Sequence, residues 1–323
     1  MTAVLITVDT ELSARLHRLG TSAQENFDLS VLGRCGAGHF GIEWQMHVLD
    51  RHGLKGIYFV DPMPSLVLGE AVIASIVERV LARGHEVQLH CHPEWLEWAI
   101  ASPVEGRRGR NIADFPLADQ ISLLDYGCGV LERAGAPRPT AFRAGNFGAN
   151  DDTLRAVAAV GLTYDSSVNA DFLRGDCQIT IPAGQNSPVE ILSTIELPVS
   201  GLYDRPGHFR PAQVCAMSDW EMRAMLDHAA TIGQSVATIV THSFEMLSRD
   251  RQRPNWSVIK RFDRLAKFIG SHPRLESATF GTLDPAASVS ENLPRRAPNI
   301  FRTVARTVEQ VAATVLYERT SRS

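Results

Sequence analysis

The chain has 323 residues, of which 44% are hydrophobic and 21% charged, and its formal net charge is −4. That length holds one large α/β domain or two ordinary ones, and the composition is that of a globular protein rather than a disordered or fibrous one. The acidic balance gives no electrostatic case for nucleic acid, and no apolar run reaches the ~18 residues of a transmembrane helix. Five cysteines (35, 91, 128, 177 and 215) form an odd, scattered set without a Cys-x-x-Cys pair. Reduced thiols in a cytoplasm are therefore expected, not a disulfide framework. The first residues lack a basic start and a long apolar stretch, so they read as a strand and not as a signal peptide.

In chain order, Ala3 to Val8 is a short apolar run rich in β-branched residues, and it delivers Asp9 and Glu11 at its end. Residues 12–40 read as a glycine-rich surface loop near the site. A helix is expected over 42–52, a strand over 54–60 and a helix over 70–83 that Gly84 ends in the C′ position. Glu86 to Cys91 reads as a buried strand stopped by Pro93. A short helix and loop fill 94–114, and a helix covers 116–134. Thr140 to Arg143 is a short strand. Asp151 or Asp152 can cap a helix that runs to Val160, and Leu162 to Asp165 is a brief strand. Residues 167–212 read as irregular, with small strands at 178–182, 188–192 and 195–199. A helix over 218–232, a strand over 235–240, a helix over 255–269 and a strand over 276–280 follow.

Strand and helix thus alternate about seven times, the pattern of a parallel sheet closed or nearly closed into a barrel. The barrel is expected to occupy residues 1–283, and residues 284–323 a linker and a C-terminal amphipathic helix. Phe301, Val304, Val308, Val311 and Val315 make one stripe on that helix. Docking of the stripe on the barrel is expected; a homo-oligomer contact and a membrane-surface contact are the alternatives.

His90 and His92 are two residues apart on one strand, so both side chains leave the same face. Two imidazoles with a nearby carboxylate are the donor set of a catalytic zinc site that keeps a position open for water. Asp9, Glu11, His90, His92, Arg143, Asp165 and His242 all fall at the C-terminal ends of expected strands. In a parallel barrel these ends share the face where active sites lie. Cys91, between the histidines, points to the opposite face and reads as core. His85 reads as a partner of the preceding helix end. Trp44, Trp95, Trp98 and Phe147 lie near the expected mouth, either stacking on a sugar or packing in the core.

The segments Thr-Val-Asp-Thr-Glu, Gly-His-Glu-Val-Gln-Leu-His-Cys-His, Phe-Arg-Ala-Gly, Tyr-Asp-Ser-Ser and Val-Thr-His-Ser, in this order over roughly residues 3–280, resemble the polysaccharide deacetylase family (carbohydrate esterase family 4 type). The resemblance implies a distorted (β/α)7 barrel of the polysaccharide deacetylase type and one divalent metal, most often zinc. It implies removal of an acetyl group from an N-acetylated sugar. The motifs diverge from the family pattern. The acid after the first Asp is replaced by Thr10, so the base maps to Asp9 and the metal-binding carboxylate to Glu11. The second histidine of the family's pair falls on Glu94, and His92 is preferred to Glu94 as the third ligand. Arg143 matches the arginine that orients the base, and Asp165 and His242 match the acid and the histidine it tunes. A backbone N–H near Asn146 would stabilise the oxyanion. The divergent pattern is similar to proteins of surface-polysaccharide biosynthesis, for which a cytoplasmic location implies a nucleotide-linked or lipid-linked sugar. Two other readings stay open: an amidase on a small cyclic amide, and a sugar-binding protein with a degenerate site.

Overall fold

The computed structural model describes residues 1–173 and 175–318, with the backbone alone at 315 and 318. β1 (Thr2–Thr10) is buried from Val4 to Thr10, as a parallel strand covered on both faces must be. Helices α1 (Ala14–Arg18) and α2 (Ala23–Ser30) and a small ribbon, β2 (Arg34–Cys35) with β3 (Gly38–His39), follow. A loop was expected there. Ser13 and Ser22 start the two helices instead, accepting the N–H of Leu16 and of Glu25, the standard service of an N-cap hydroxyl.

Then come α3 (Ile42–Arg51), β4 (Gly56–Val60), α4 (Ser65–Leu68), α5 (Ala71–Leu81), β5 (Glu86–Cys91), α6 (Leu117–Arg133), β6 (Ala141–Ala144), α7 (Asp151–Ala159) and β7 (Tyr164–Asp165). Asn150, not Asp151 or Asp152, caps α7; it accepts from the Thr153 N–H, and Thr153 Oγ accepts from the Asn150 N–H. Two hairpins follow, β8 (Val189–Ile191) with β9 (Thr194–Glu196) and β10 (Gly201–Arg205) with β11 (His208–Pro211). The chain ends with α8 (Asp219–Ile232), β12 (Val236–His242), α9 (Trp256–Ser271), β13 (Leu275–Ser277), α10 (Pro285–Ser288) and α11 (Ile300–Ala313).

The main sheet runs β12-β1-β4-β5-β6-β7-β9-β8, with β13 beside the start of β1. All its pairs are parallel except β8 with β9. It curls into a half-barrel. The extended segment after β9 draws the two sides together: the Ser200 N–H donates to Thr238 O (3.0 Å), and Ser200 Oγ accepts from the Thr238 N–H (2.9 Å). The parallel strands turn their C-terminal ends to one rim. Residues 178–182, expected as a strand, lie outside the named strands. His85 is buried, with Nδ1 accepting the Gly56 N–H (2.9 Å) and Nε2 3.3 Å from Asp50 Oδ1. Among the described residues no helix is long and apolar enough to cross a membrane.

The C-terminal helix docks by its other face. Arg302 and Arg306 are buried, whereas Phe301 (73% exposed), Val304 (53%), Val308 (65%) and Val311 (60%) face outward. Arg306 reaches Glu221 Oε1 (3.1 Å) and Asp204 Oδ2 (2.8 Å), and Arg261 reaches Glu309 Oε1 (2.6 Å). The buried carboxylates of Asp204 and Glu221 need cations, and that demand fixes the orientation of the helix. The expectation that the stripe packs on the barrel is corrected accordingly; the side chain of Val315 lies outside the described residues. Residues 284–300 are tied down as well, through Asn186 N–H to Asn292 Oδ1 (2.8 Å) and Tyr203 N–H to Arg296 O (3.1 Å).

Candidate active site

Strand register brings the polar rim together. Asp9 on β1 stands opposite His242 on β12, and His90 on β5 stands opposite Arg143 on β6. Glu11 follows the end of β1 and His92 the end of β5. His90 Nδ1 lies 2.7 Å from Arg143 O. A carbonyl only accepts, so Nδ1 carries the proton and Nε2 keeps its lone pair for a ligand. The rings of His90 and His92 sit 4.9 Å apart, edge to face.

Glu11 Oε2 lies 2.5 Å from His92 Nε2 and 3.5 Å from His90 Nε2. It is buried and makes no aligned hydrogen bond among the described residues. The donor atoms of Glu11, His90 and His92 all lie within 4.8 Å of one another. An orphaned buried carboxylate oxygen facing two imidazole nitrogens fits a divalent cation, and the N/N/O set suits zinc. Glu94 lies outside this group, in the 3₁₀ turn Pro93–Glu97. Gly145, next after β6, is a steric requirement: a Cβ there would stand 2.7 Å from both Cys91 O and His92 Nδ1.

Arg143 is fully buried and spent on its neighbours. It donates to Asp9 Oδ1 (2.7 Å), Thr7 Oγ1 (2.7 Å), Ser166 O (3.1 Å) and Ser166 Oγ (3.0 Å), and its guanidinium covers the Phe59 ring at 4.3 Å. Burial pushes the Asp9 carboxyl up, but Arg143, then His90 and His242, outweigh it and hold the group below the usual carboxylate range. Asp9 is therefore a fixed carboxylate that can accept a proton at Oδ2, which lies 3.9 Å from His242 Nε2.

Asp165 does not reach His242. Four strands separate β7 from β12 along the sheet. The Asp165 carboxylate accepts from Ser167 N–H (2.9 Å) and Ser167 Oγ (2.8 Å) and faces Glu196 on the next strand. Burial pushes both Asp165 and Glu196 up, as two acids sharing one dry site require. The partner of His242 is Glu245, with Nδ1 2.7 Å from Oε1. Burial alone would lower His242; the hydrogen bond and charge of Glu245, with Asp9, reverse this and raise it to about 9. Sequence reasoning missed Glu245, although His-x-x-Glu past a strand end was there to read. Asp61, the residue just past the strand expected over 54–60, was missed as well. Asp61 is buried at the C-terminal end of β4, and its Oδ1 accepts the N–H of His92 (3.3 Å) and of Met63 (3.1 Å). Burial raises it to about 6.

Asp9, Glu11, His90, His92 and His242 line a cavity of about 200 Å³ together with Asn146, Phe147, Phe172, Asp176, Gln213 and Arg110. Asn146 and Phe147 take positive φ values of 57° and 54°, a strained turn of the sort found at functional sites. Cys91 is core, as expected. Trp95 is buried against Trp98 (5.7 Å), and Trp44 packs on Phe262 (5.8 Å). Of the four aromatics expected near the mouth, Phe147 is the one lining this cavity.

No protein-family model and no curated protein matches the sequence. Among solved structures, a protein of Mycobacterium smegmatis assigned as a polysaccharide deacetylase aligns over 100% of this chain and 94% of its own, with a TM-score of 0.57 and 14% identity. A 4-alpha-glucanotransferase from Thermococcus litoralis aligns over 92% of this chain but 41% of its own, with a TM-score of 0.51 and 9% identity. A family 4 carbohydrate esterase from Streptomyces lividans, solved with acetate, aligns over 92% and 98%, with a TM-score of 0.43 and 13% identity. At these identities the likeness is one of fold: the chain has the (β/α) barrel of the polysaccharide deacetylase type.

Proposed function

We propose that the chain is a divergent polysaccharide deacetylase of the carbohydrate esterase family 4 type, a metal-dependent hydrolase that removes an N-acetyl or related acyl group from an amino sugar. The convergence of Glu11, His90 and His92 within 4.8 Å, beside an Asp9 held by Arg143, is the observation that carries this reading. Fold alone does not choose the reaction.

Glu11, His90 and His92 would hold one divalent ion, zinc by donor type, which supplies a Lewis acid for the carbonyl and lowers the pKa of water. Asp9 takes the proton from the attacking water. Arg143 fixes the Asp9 carboxylate and keeps it ionised until then. The tetrahedral oxyanion is met by backbone N–H at the Asn146 turn. His242, protonated by virtue of Glu245, gives its proton to the leaving amine. Acid and base thus sit on separate side chains whose environments drive their proton affinities apart. Phe147 and Phe172, 5.2 Å apart, offer apolar surface to a sugar ring. Arg110 in the same cavity suits a phosphate, which favours a nucleotide-linked or lipid-linked precursor in surface-polysaccharide metabolism. The five unpaired cysteines suit a reducing, cytoplasmic setting.

The test is acetate release from N-acetylated amino sugars, offered free, polymeric and nucleotide-linked, with zinc added. Release that Asp9→Asn abolishes supports the proposal. Release from none of them, with a small cyclic amide opened instead, overturns it.

A further inference from the structure

Among the described residues, six of the large apolar side chains exposed by about half or more lie between 300 and 316: Ile300 (66%), Phe301 (73%), Val304 (53%), Val308 (65%), Val311 (60%) and Leu316 (57%). The barrel does not leave them out by neglect. Thr303, Arg306, Glu309 and Gln310 dock the helix on Asp204, Ala216, Glu221 and Arg261, and Arg302 donates to Ala297 O just before the helix. The polar face is consumed, and the apolar face is presented on a fixed support.

The spacing says what covers it. Positions 301, 304, 308 and 311 step by three, four and three, and Val315 continues with four in the sequence. This is the a/d seam of a helix that meets another helix. The docked residues take the b, c and f positions. The e and g positions flanking the seam are Ile300, Ala305, Thr307, Ala312 and Thr314, all uncharged and, after Ile300, small. A helix lying on an anionic lipid surface carries Lys or Arg free on its polar face; the arginines of this helix, Arg302 and Arg306, are buried. Small uncharged flanks let a second backbone come close. The exposed side chains offer on the order of several hundred Å² per copy, which falls in the small class of interfaces, below the ~800 Å² that each partner buries in a standard one.

We propose that α11 is the two-fold interface of a homodimer, each copy laying its 301–311 seam against the same seam of the other. An isologous contact needs one self-complementary patch, which this stripe supplies.

The test is the mass of the full-length protein in solution, by sedimentation equilibrium over a wide concentration range, for wild type and Val304→Asp/Val308→Asp. Both side chains are exposed, so the variant keeps its fold, checked by circular dichroism. A wild type of two-chain mass whose variant shows half that mass supports the proposal. A wild type that stays monomeric overturns it, including one that pellets with anionic vesicles. A dimer that persists in the variant also overturns it, since the contact then lies elsewhere.

Discussion

Glu245 Oε1 sits 2.7 Å from His242 Nδ1 and also accepts from Gln213 Nε2 (2.5 Å), while Thr241 donates to the other oxygen at 2.8 Å. The carboxylate is clamped from three sides and stays ionised, and the imidazole beside it is held as a cation. His242 lies above its ordinary 6.5, at about 9. The sign follows. The charged pair stabilises the fold fully below pH 6.5 and loses that contribution as pH rises through about 9. As an acid for the leaving amine, His242 should keep kcat/KM level across neutral pH and let it fall above about 9. Glu245→Gln removes the charge and should move that alkaline limb to lower pH. A pH–rate profile of both proteins reads this directly; an unmoved limb would mean that another group sets it.

Arg143 and Asp9 form a buried pair in which each answers the other's charge. Removing the cation leaves a carboxylate in a dry site, whereas Asp9→Asn keeps an amide oxygen for Arg143, which also still donates to Thr7 and Ser166. Arg143→Ala should cost about 3–5 kcal/mol of stability, measured by urea unfolding, because a buried charge is then uncompensated. Asp9→Asn should unfold at a urea concentration closer to wild type. It should lose about 10²- to 10⁴-fold in kcat, the usual share of a positioned base.

Gly145 has no room for a side chain because Cys91 O and His92 Nδ1 stand where a Cβ would go. Gly145→Ala should displace His92 and weaken zinc binding by about 10- to 100-fold, as loss of ligand support does. Gly36→Ala, with nothing within 4 Å of the added carbon, should bind zinc as the wild type does. Isothermal titration of both variants separates steric displacement from a general effect of adding a methyl group.

The residues that line the rim were legible because parallel strands announce themselves: apolar, β-branched, short and ended by a polar residue. Asp9, His90, Arg143 and His242 all stand at such ends, and register brings them together. Asp165 stands at one too, but strand ends on a curled sheet are not equidistant. Which acid meets which histidine depends on strand order, and single-sequence patterning does not give that. Glu245 escaped notice because it lies in the turn after a strand, where side-chain direction is set by the loop. The C-terminal stripe was plain as a pattern. Its direction was not, because an amphipathic helix can dock by either face when buried acids such as Asp204 and Glu221 wait for arginines.

The central claim is that Glu11, His90 and His92 make a metal site. Elemental analysis of purified wild type, Glu11→Ala, His92→Ala and Glu94→Ala tests it most directly. The expected result is about one zinc or similar divalent ion per chain in wild type and Glu94→Ala, lost in Glu11→Ala and His92→Ala with the fold intact. A wild type that holds no metal even after zinc is added back, or a His92→Ala protein that keeps a full complement, would contradict it.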